Sequence, residues 1–246
     1  DSTGTNNMAF IPDLMNRKTY NEDGMGNMHL YSPWWLDNKN LNFPRGYHIE
    51  ITGGLGAPSY GFGFNYNSLN KFFGLEVGGY GDRVRKEVKK YYGSVIGLWS
   101  RGESVPNINN YCEIDPEKKD KYGIPVLRFN YKWSDYERKQ ANHMNETIKK
   151  IVHNIGGHML WENGGPDNGL ITPGEVIHEV GTTRMGNNSE TSVVNKYEQL
   201  HDAKNVFVVD GGPFVSQADK NPTWTILALS WRTSEYIVDQ LKKQNI

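Results

Sequence analysis

The chain holds a single cysteine, Cys112, in 246 residues. An internal disulfide is excluded, and with it the small stapled scaffolds. No apolar run approaches the roughly 20 residues of a membrane span. Lys and Arg number 27 against 28 Asp and Glu. These charges are mixed along the chain, and the lack of a basic stripe argues against nucleic-acid binding. Seven His are present without HExxH or CxxC spacing, so no metal site is indicated. The absence of a G-x-S-x-G turn leaves a serine hydrolase without support. The first residues, "DSTGTNNMAF", are polar, have no signal-peptide core and do not begin with Met, which points to a processed or truncated product.

What is plentiful is aromatic, with seven Trp and fourteen Tyr. Such side chains line sugar or flat-ring pockets, and equally fill cores. The first part alternates β-rich runs with Asn, Asp, Gly and Pro punctuation: Asn6–Leu14, Met25–Leu36 and Arg45–Gly54. A glycine- and aromatic-rich loop follows over Gly53–Asn67. A short helix is expected over Gly81–Gly93, then strands over Ser94–Ser104, Asn109–Asp115 and Pro125–Ser134, with a charged hairpin-like link at Asp115–Gly123. The spacing of Ala141, Met144, Ile148, Ile151 and Ile155 predicts a long helix over Ser134–Gly157, ended by Gly156-Gly157. The fold class read from this order is α+β: an antiparallel sheet with helices on one face. Glu162–Glu175 is loop-rich and marks the expected boundary between a domain over 1–175 and a C-terminal segment over 176–246.

Three stretches of that segment can carry chemistry. "IHEVGTTRMG" (Ile177–Gly186) sets His178 before a glycine-bounded turn, and His is the side chain best suited to take a proton near neutral pH. "NVFVVDGG" (Asn205–Gly212) reads as a buried, parallel-type strand whose end carries Asp210 and Gly211. "KNPTWTILALSWRTSEYIV" (Lys220–Val238) reads as a helix with Asn221 as N-cap and Pro222 at its first position. The start of a helix leaves N–H groups unpaired at the positive end of its dipole, which stabilises an anion or a developing negative charge. Taken singly, each stretch is also ordinary architecture.

In order, the three resemble the C-terminal end of the glucose–methanol–choline (GMC) family of flavin oxidoreductases, in the branch that includes the gluconate 2-dehydrogenase flavoprotein subunit. The likeness is dense over Ile177–Ile237, and "RGESVPNINNYCEID" and "GIPVLRFNYKWSD" look like that family's substrate domain. The resemblance implies FAD as cofactor and His178 with Asn221 as the catalytic pair. It places Asp210 and Gly211 at the flavin's ribityl–pyrophosphate region, and Asn221, Pro222 and Thr223 beside the flavin ring. It implies oxidation of the CH–OH group of an alcohol, sugar, polyol or sugar acid, with proton removal by His178 and hydride transfer to flavin N5. Tyr31, Trp34, Trp35, Trp99 and Arg101 sit on expected strands and are candidate substrate-pocket walls; by bulk alone they are core. A cytochrome or quinone is the acceptor that the dehydrogenase branch implies, and the periplasm is where such relatives often work.

The family's nucleotide fingerprint is missing. No glycine cluster reads G-x-G-x-x-G inside a strand–turn–helix. The resemblance therefore implies the substrate domain plus a C-terminal strand–helix piece of an FAD-binding α/β domain whose N-terminal part is absent. That missing N-terminal FAD-binding region is the expected partner. The competing reading is a flavin-free carbohydrate-binding or regulatory module on the same fold.

Overall fold

The computed structural model describes residues 1–17, 29–32, 40–53, 66–74, 80–162 and 169–246. Trp34 and Trp35, most of the expected loop at Gly53–Asn67 and part of the expected boundary at Glu162–Glu175 lie outside the described residues. In chain order the elements are β1 (Thr3–Phe10), β2 (His29–Ser32), β3 (Tyr47–Thr52), α1 (Tyr66–Phe73), α2 (Asp82–Tyr91), β4 (Val95–Gly102), β5 (Tyr111–Lys119), β6 (Pro125–Asn130), α3 (Asp135–Asn154), β7 (His158–Glu162) and α4 (Thr223–Lys242). Contacts divide the chain into two units, each drawn from separate segments. One comprises Thr3–Gly102 and Asp135–Ile171; the other comprises Asp1–Ser2, Glu103–Ser134 and Thr172–Ile246.

The first unit is built on a five-stranded sheet in the order β2-β3-β4-β1-β7. Every pairing in it is antiparallel. Successive side chains of a strand point to opposite faces. In β3 this puts Tyr47, Ile49 and Ile51 on one face and His48, Glu50 and Thr52 on the other. The first face is covered by α3, whose Met144, Ile148 and Val152 join Ala9, Ile49, Ile96 and Leu98 in one buried cluster. Their four-residue spacing makes one helical stripe. Burial of each such side chain contributes about 1.5–3 kcal/mol.

The approach is closest at Gly102, where a Cβ would meet Gln140 Oε1 at 2.0 Å and Met144 Cε at 2.6 Å. The helix stops where expected. Gly156 adopts φ 70°, and the Gly157 N–H donates to the Val152 carbonyl at 2.8 Å. Ile155 lies past the helix end and is exposed rather than on the buried stripe. The strand expected over Asn6–Leu14 begins earlier and ends at Phe10, because Pro12 opens a short 3-10 turn over Pro12–Leu14. On the opposite sheet face, Phe10 and Val95 form a smaller cluster with Leu69 of α1 and Tyr91 of α2.

In the second unit, β5 and β6 form a hairpin. Part of the expected charged link is strand: β5 runs to Lys119, with a register shift between Ile114 and Lys119. The shift is held by the Asp115 carboxylate, which accepts the N–H groups of Glu117 and Lys118 at 2.9 Å each. One side of α4 is anchored by hydroxyls. Ser230 donates to the Val209 carbonyl at 3.0 Å. Buried Thr233 bonds to the Tyr197 carbonyl at 3.1 Å and to Glu198 Oε2 at 2.7 Å. Tyr236 stacks on Tyr197 with 4.0 Å between ring centroids.

Asn205–Gly212 is not the buried parallel strand expected. Among the described residues its middle pairs through an antiparallel bridge Gln199↔Phe207 and the Val208 N–H to the Glu198 carbonyl at 2.9 Å, and only its end, at Gly211 and Gly212, accepts from Gly181 and Thr183. Val206 and Val209 are exposed. An interior parallel strand needs neighbours on both sides and both faces covered, and around Phe207 and Val208 the described residues supply one side.

One pair in the first unit makes stability depend on pH. Buried Tyr47 shares a 2.7 Å hydrogen bond with His143 Nδ1. Burial, then the nearby Lys150 charge, pushes the His143 imidazole below its ordinary 6.5. Over the interval between these two values the unfolded chain binds the extra proton and the folded one does not. The contribution is thus complete above the ordinary value and is lost as pH falls through the lowered one. The variant His143→Gln, which keeps a hydrogen-bonding side chain, is expected to flatten the loss of stability between about pH 7.5 and 5. Denaturant midpoints of the whole protein across that range measure this; an unchanged slope contradicts it.

Candidate active site

His178 is half-buried on a tightly folded turn of the second unit. Ile177 before it has φ 58°, and Gly181 after it has φ 90°. A positive φ is a genuine outlier for a β-branched residue. Ile177 is 81% exposed, so packing of its own side chain does not hold it there. Such strain persists where surroundings over-determine the backbone, and it gathers at functional sites.

Those surroundings are a backbone zip. The N–H groups of Gly181, Thr183 and Met185 donate to the carbonyls of Gly211, Gly212 and Pro213 at 3.3, 3.1 and 2.9 Å. Two of the stretches singled out in the sequence are thereby laid side by side. Gly211 also lies against the third, since a Cβ there would sit 3.1 Å from Val180 Cγ1 and 3.8 Å from Ile226 Cδ1 of α4. Asp210 is exposed, and its Oδ1 accepts the Gly212 N–H at 2.7 Å, closing the turn at the end of the run. Arg184 is structural: its Nε donates to the Thr191 carbonyl at 3.2 Å, and Met185 bridges Val194.

The assigned start of α4, Thr223, falls one residue after the expected Pro222. Pro222 occupies the cap place with helical angles (φ −79°, ψ −16°) and Asn221 precedes it. The Ile226 N–H donates to the Pro222 carbonyl at 3.0 Å. Helical angles at Pro222 leave Asn221 as the residue flanking the helix. Pro222 itself offers no side-chain cap. The first-turn N–H groups lie at the positive end of the helix dipole. Asn221 and Thr223 are exposed and Pro222 is half-buried.

Sequence reasoning missed two residues of this unit. Thr183 Oγ1 is buried without a hydrogen-bond partner among the described residues. It lies against Gly212, where a Cβ would come within 2.2 Å of it. The Gly-Thr-Thr turn was visible, but not which hydroxyl it would leave unsatisfied. The other is Ser2, whose Oγ lies 3.3 Å from His178 Nδ1; no local pattern signals a contact 176 residues apart.

In the first unit, strand register gathers three candidate substrate residues on one face. Tyr31 and Trp99 both pair with Glu50, and Arg101 pairs with His48. This is the sheet face opposite α3. Tyr31 is partly exposed, with its ring 5.0 Å from that of His48. Arg101 donates to Asn6 Oδ1 at 3.1 Å and to the Ser100 carbonyl at 2.8 Å. Burial pushes its guanidinium down, and the Glu50 charge opposes this. His48 and Glu50, buried and 3.1 Å apart, belong to the same face. Their alternation with Tyr47, Ile49 and Ile51 was the available signal.

The chain belongs to the GMC oxidoreductase family, whose model matches residues 106–230. It is 32% identical over 209 residues to 2-methyl-1,2-propanediol dehydrogenase of Mycolicibacterium austroafricanum, covering 85% of this chain and 36% of that protein. It is 28% identical to the fructose dehydrogenase large subunit of Gluconobacter japonicus, covering 74% and 32%. With the gluconate 2-dehydrogenase flavoprotein of Pantoea cypripedii it shares 30% identity, covering 67% and 27%. The chain thus spans about a third of the length of these relatives. Among solved structures, pyridoxine 4-oxidase from Mesorbium loti superposes with a TM-score of 0.56 at 15% identity, covering 96% of this chain and 42% of that one. That likeness concerns the fold.

The family implies FAD, and the second unit offers features suited to its flavin half. The positive end of α4 suits an electron-rich ring edge. The buried Thr183 hydroxyl, without a partner among the described residues, sits beside the closely approached Gly212. The Gly-rich strand–turn–helix that grips the nucleotide half is absent from the sequence.

The strain at Ile177 is directly testable. Ile177→Gly removes about 1–2 kcal/mol of left-handed strain, offset by about 0.5–1 kcal/mol of glycine chain entropy. The variant is expected to match or exceed the parent in stability by up to about 1 kcal/mol, read from denaturant midpoints. A clear loss of stability would show that the turn is not strained.

Proposed function

We propose that this chain is the substrate-side and catalytic C-terminal part of an FAD-dependent enzyme that oxidises the CH–OH group of a sugar, polyol, sugar acid or other small alcohol. One observation carries the reading: within a single unit, the zip holds the His178 turn against the Asp210–Gly211 end and against α4. The names of the relatives, which include dehydrogenases of a diol, of fructose and of gluconate, agree with this substrate class.

Each residue has a physical task. His178 accepts the hydroxyl proton of the substrate, a step worth about 10²–10⁴-fold in rate. Asn221 hydrogen-bonds the same oxygen, so that charge developing on it meets a preorganised donor. Asp210 and Gly211 would hold the ribityl–pyrophosphate region, with Asn221, Pro222 and Thr223 beside the ring. When bound, FAD supplies the two-electron acceptor for the hydrogen leaving the carbinol carbon. Tyr31, Trp99 and Arg101, with Trp34 and Trp35, stand as candidate substrate contacts.

The side of α4 away from its anchors carries Trp224, Leu227, Trp231, Val238 and Leu241, with Trp224 84% and Trp231 72% exposed. This stripe is proposed to lie under an N-terminal FAD-binding region of the longer protein. Such a region accounts for both the relatives' greater length and the exposed Val206 and Val209.

In the complete enzyme, His178→Ala is expected to slow anaerobic flavin reduction by about 10²–10⁴-fold while FAD stays bound. Stopped-flow absorbance with sugars and polyols reads this. Reduction at the parental rate would remove His178 from the chemistry.

A further inference from the structure

The first two residues described are polar, yet Asp1 and Ser2 are both buried. Polar groups stay buried when their hydrogen bonds are made, and here they are. The Ser2 N–H donates to Asp1 Oδ1 at 2.8 Å. Asp1 Oδ2 accepts the Gly174 N–H at 2.9 Å. The Asp1 carbonyl accepts from Ser104 Oγ at 2.7 Å and from Tyr131 Oη at 3.5 Å. Three separated segments of the second unit thus pin this dipeptide. What the pinned dipeptide presents is the Ser2 hydroxyl, 3.3 Å from His178 Nδ1.

A histidine can serve as base at one ring nitrogen only if the other keeps its proton, and the partner of that other nitrogen selects the tautomer. We propose that Ser2 is a positioning residue for His178. Its Oγ accepts the Nδ1 proton, which leaves the basic lone pair on Nε2 and fixes the plane of the ring. The strained Ile177 sets the backbone of His178, and Ser2 sets its side chain. This inference rests on the reading of His178 as the base. An oxygen acceptor favours imidazolium over neutral imidazole, because hydrogen bonds to a charged donor are the stronger ones. Ser2 therefore raises the basicity of His178.

The test is made on the complete flavin-loaded enzyme, with Ser2→Ala, Ser2→Thr and His178→Ala compared by anaerobic stopped-flow reduction across pH. Ser2→Ala is expected to slow reduction by about tenfold, the effect of one lost orienting hydrogen bond. It should also move the acid limb of the rate profile to lower pH, with flavin content and unfolding midpoint unchanged. Ser2→Thr, which keeps the hydroxyl, should restore rate and profile. A purely structural role would lower the midpoint and leave the acid limb in place, and that result overturns the proposal. So does a Ser2→Ala enzyme with parental rate and profile when His178→Ala is inactive. Parental reduction in His178→Ala overturns the base assignment itself, and this inference with it.

Discussion

The N–H groups of Gly181, Thr183 and Met185, bonded to the carbonyls of Gly211, Gly212 and Pro213, are the constraint on which the catalytic reading depends. They join two loops that neither helix nor sheet would otherwise hold in register. Gly181 meets the constraint through a left-handed φ of 90°. Gly211 meets it by offering no Cβ where Val180 and Ile226 close in. Thr183 shows its consequence in a hydroxyl buried without a partner among the described residues. Unsatisfied buried groups are costly and uncommon in folded proteins; among the described residues Gln140, Glu198 and Gln217 each carry one as well.

Much of the scaffold was legible because it follows local periodicity. The stripe Met144 and Ile148 predicted the buried side of α3, and Gly156-Gly157 predicted its end. What failed depended on neighbours. Asn205–Gly212 has the apolar run of an interior strand, but a run cannot report how many sides are paired; among the described residues Phe207 and Val208 are paired on one side.

The site was legible in part. His178, Asp210, Gly211 and Asn221 stand out in short motifs, and Gly211 lies at the junction of all three stretches. Ser2 and the face shared by His48 and Glu50 were not singled out. The first depends on a contact between distant segments, the second on the register of β3 against β4. Composition had suggested aromatic pocket walls, and register now separates residues that share a face from those that only share a type. Exposed Trp224 and Trp231 on α4 are likewise informative only in the fold, where the anchored side at Ser230 and Thr233 shows which way they point.

The central claim is that this chain serves a flavin-dependent alcohol oxidation. The most direct measurement is the visible absorption spectrum of the native full-length protein, before and after anaerobic addition of sugars and polyols. The account predicts flavin bands that bleach with at least one such substrate. A protein without flavin bands, even after reconstitution with FAD, would contradict it and leave a binding module on the same fold.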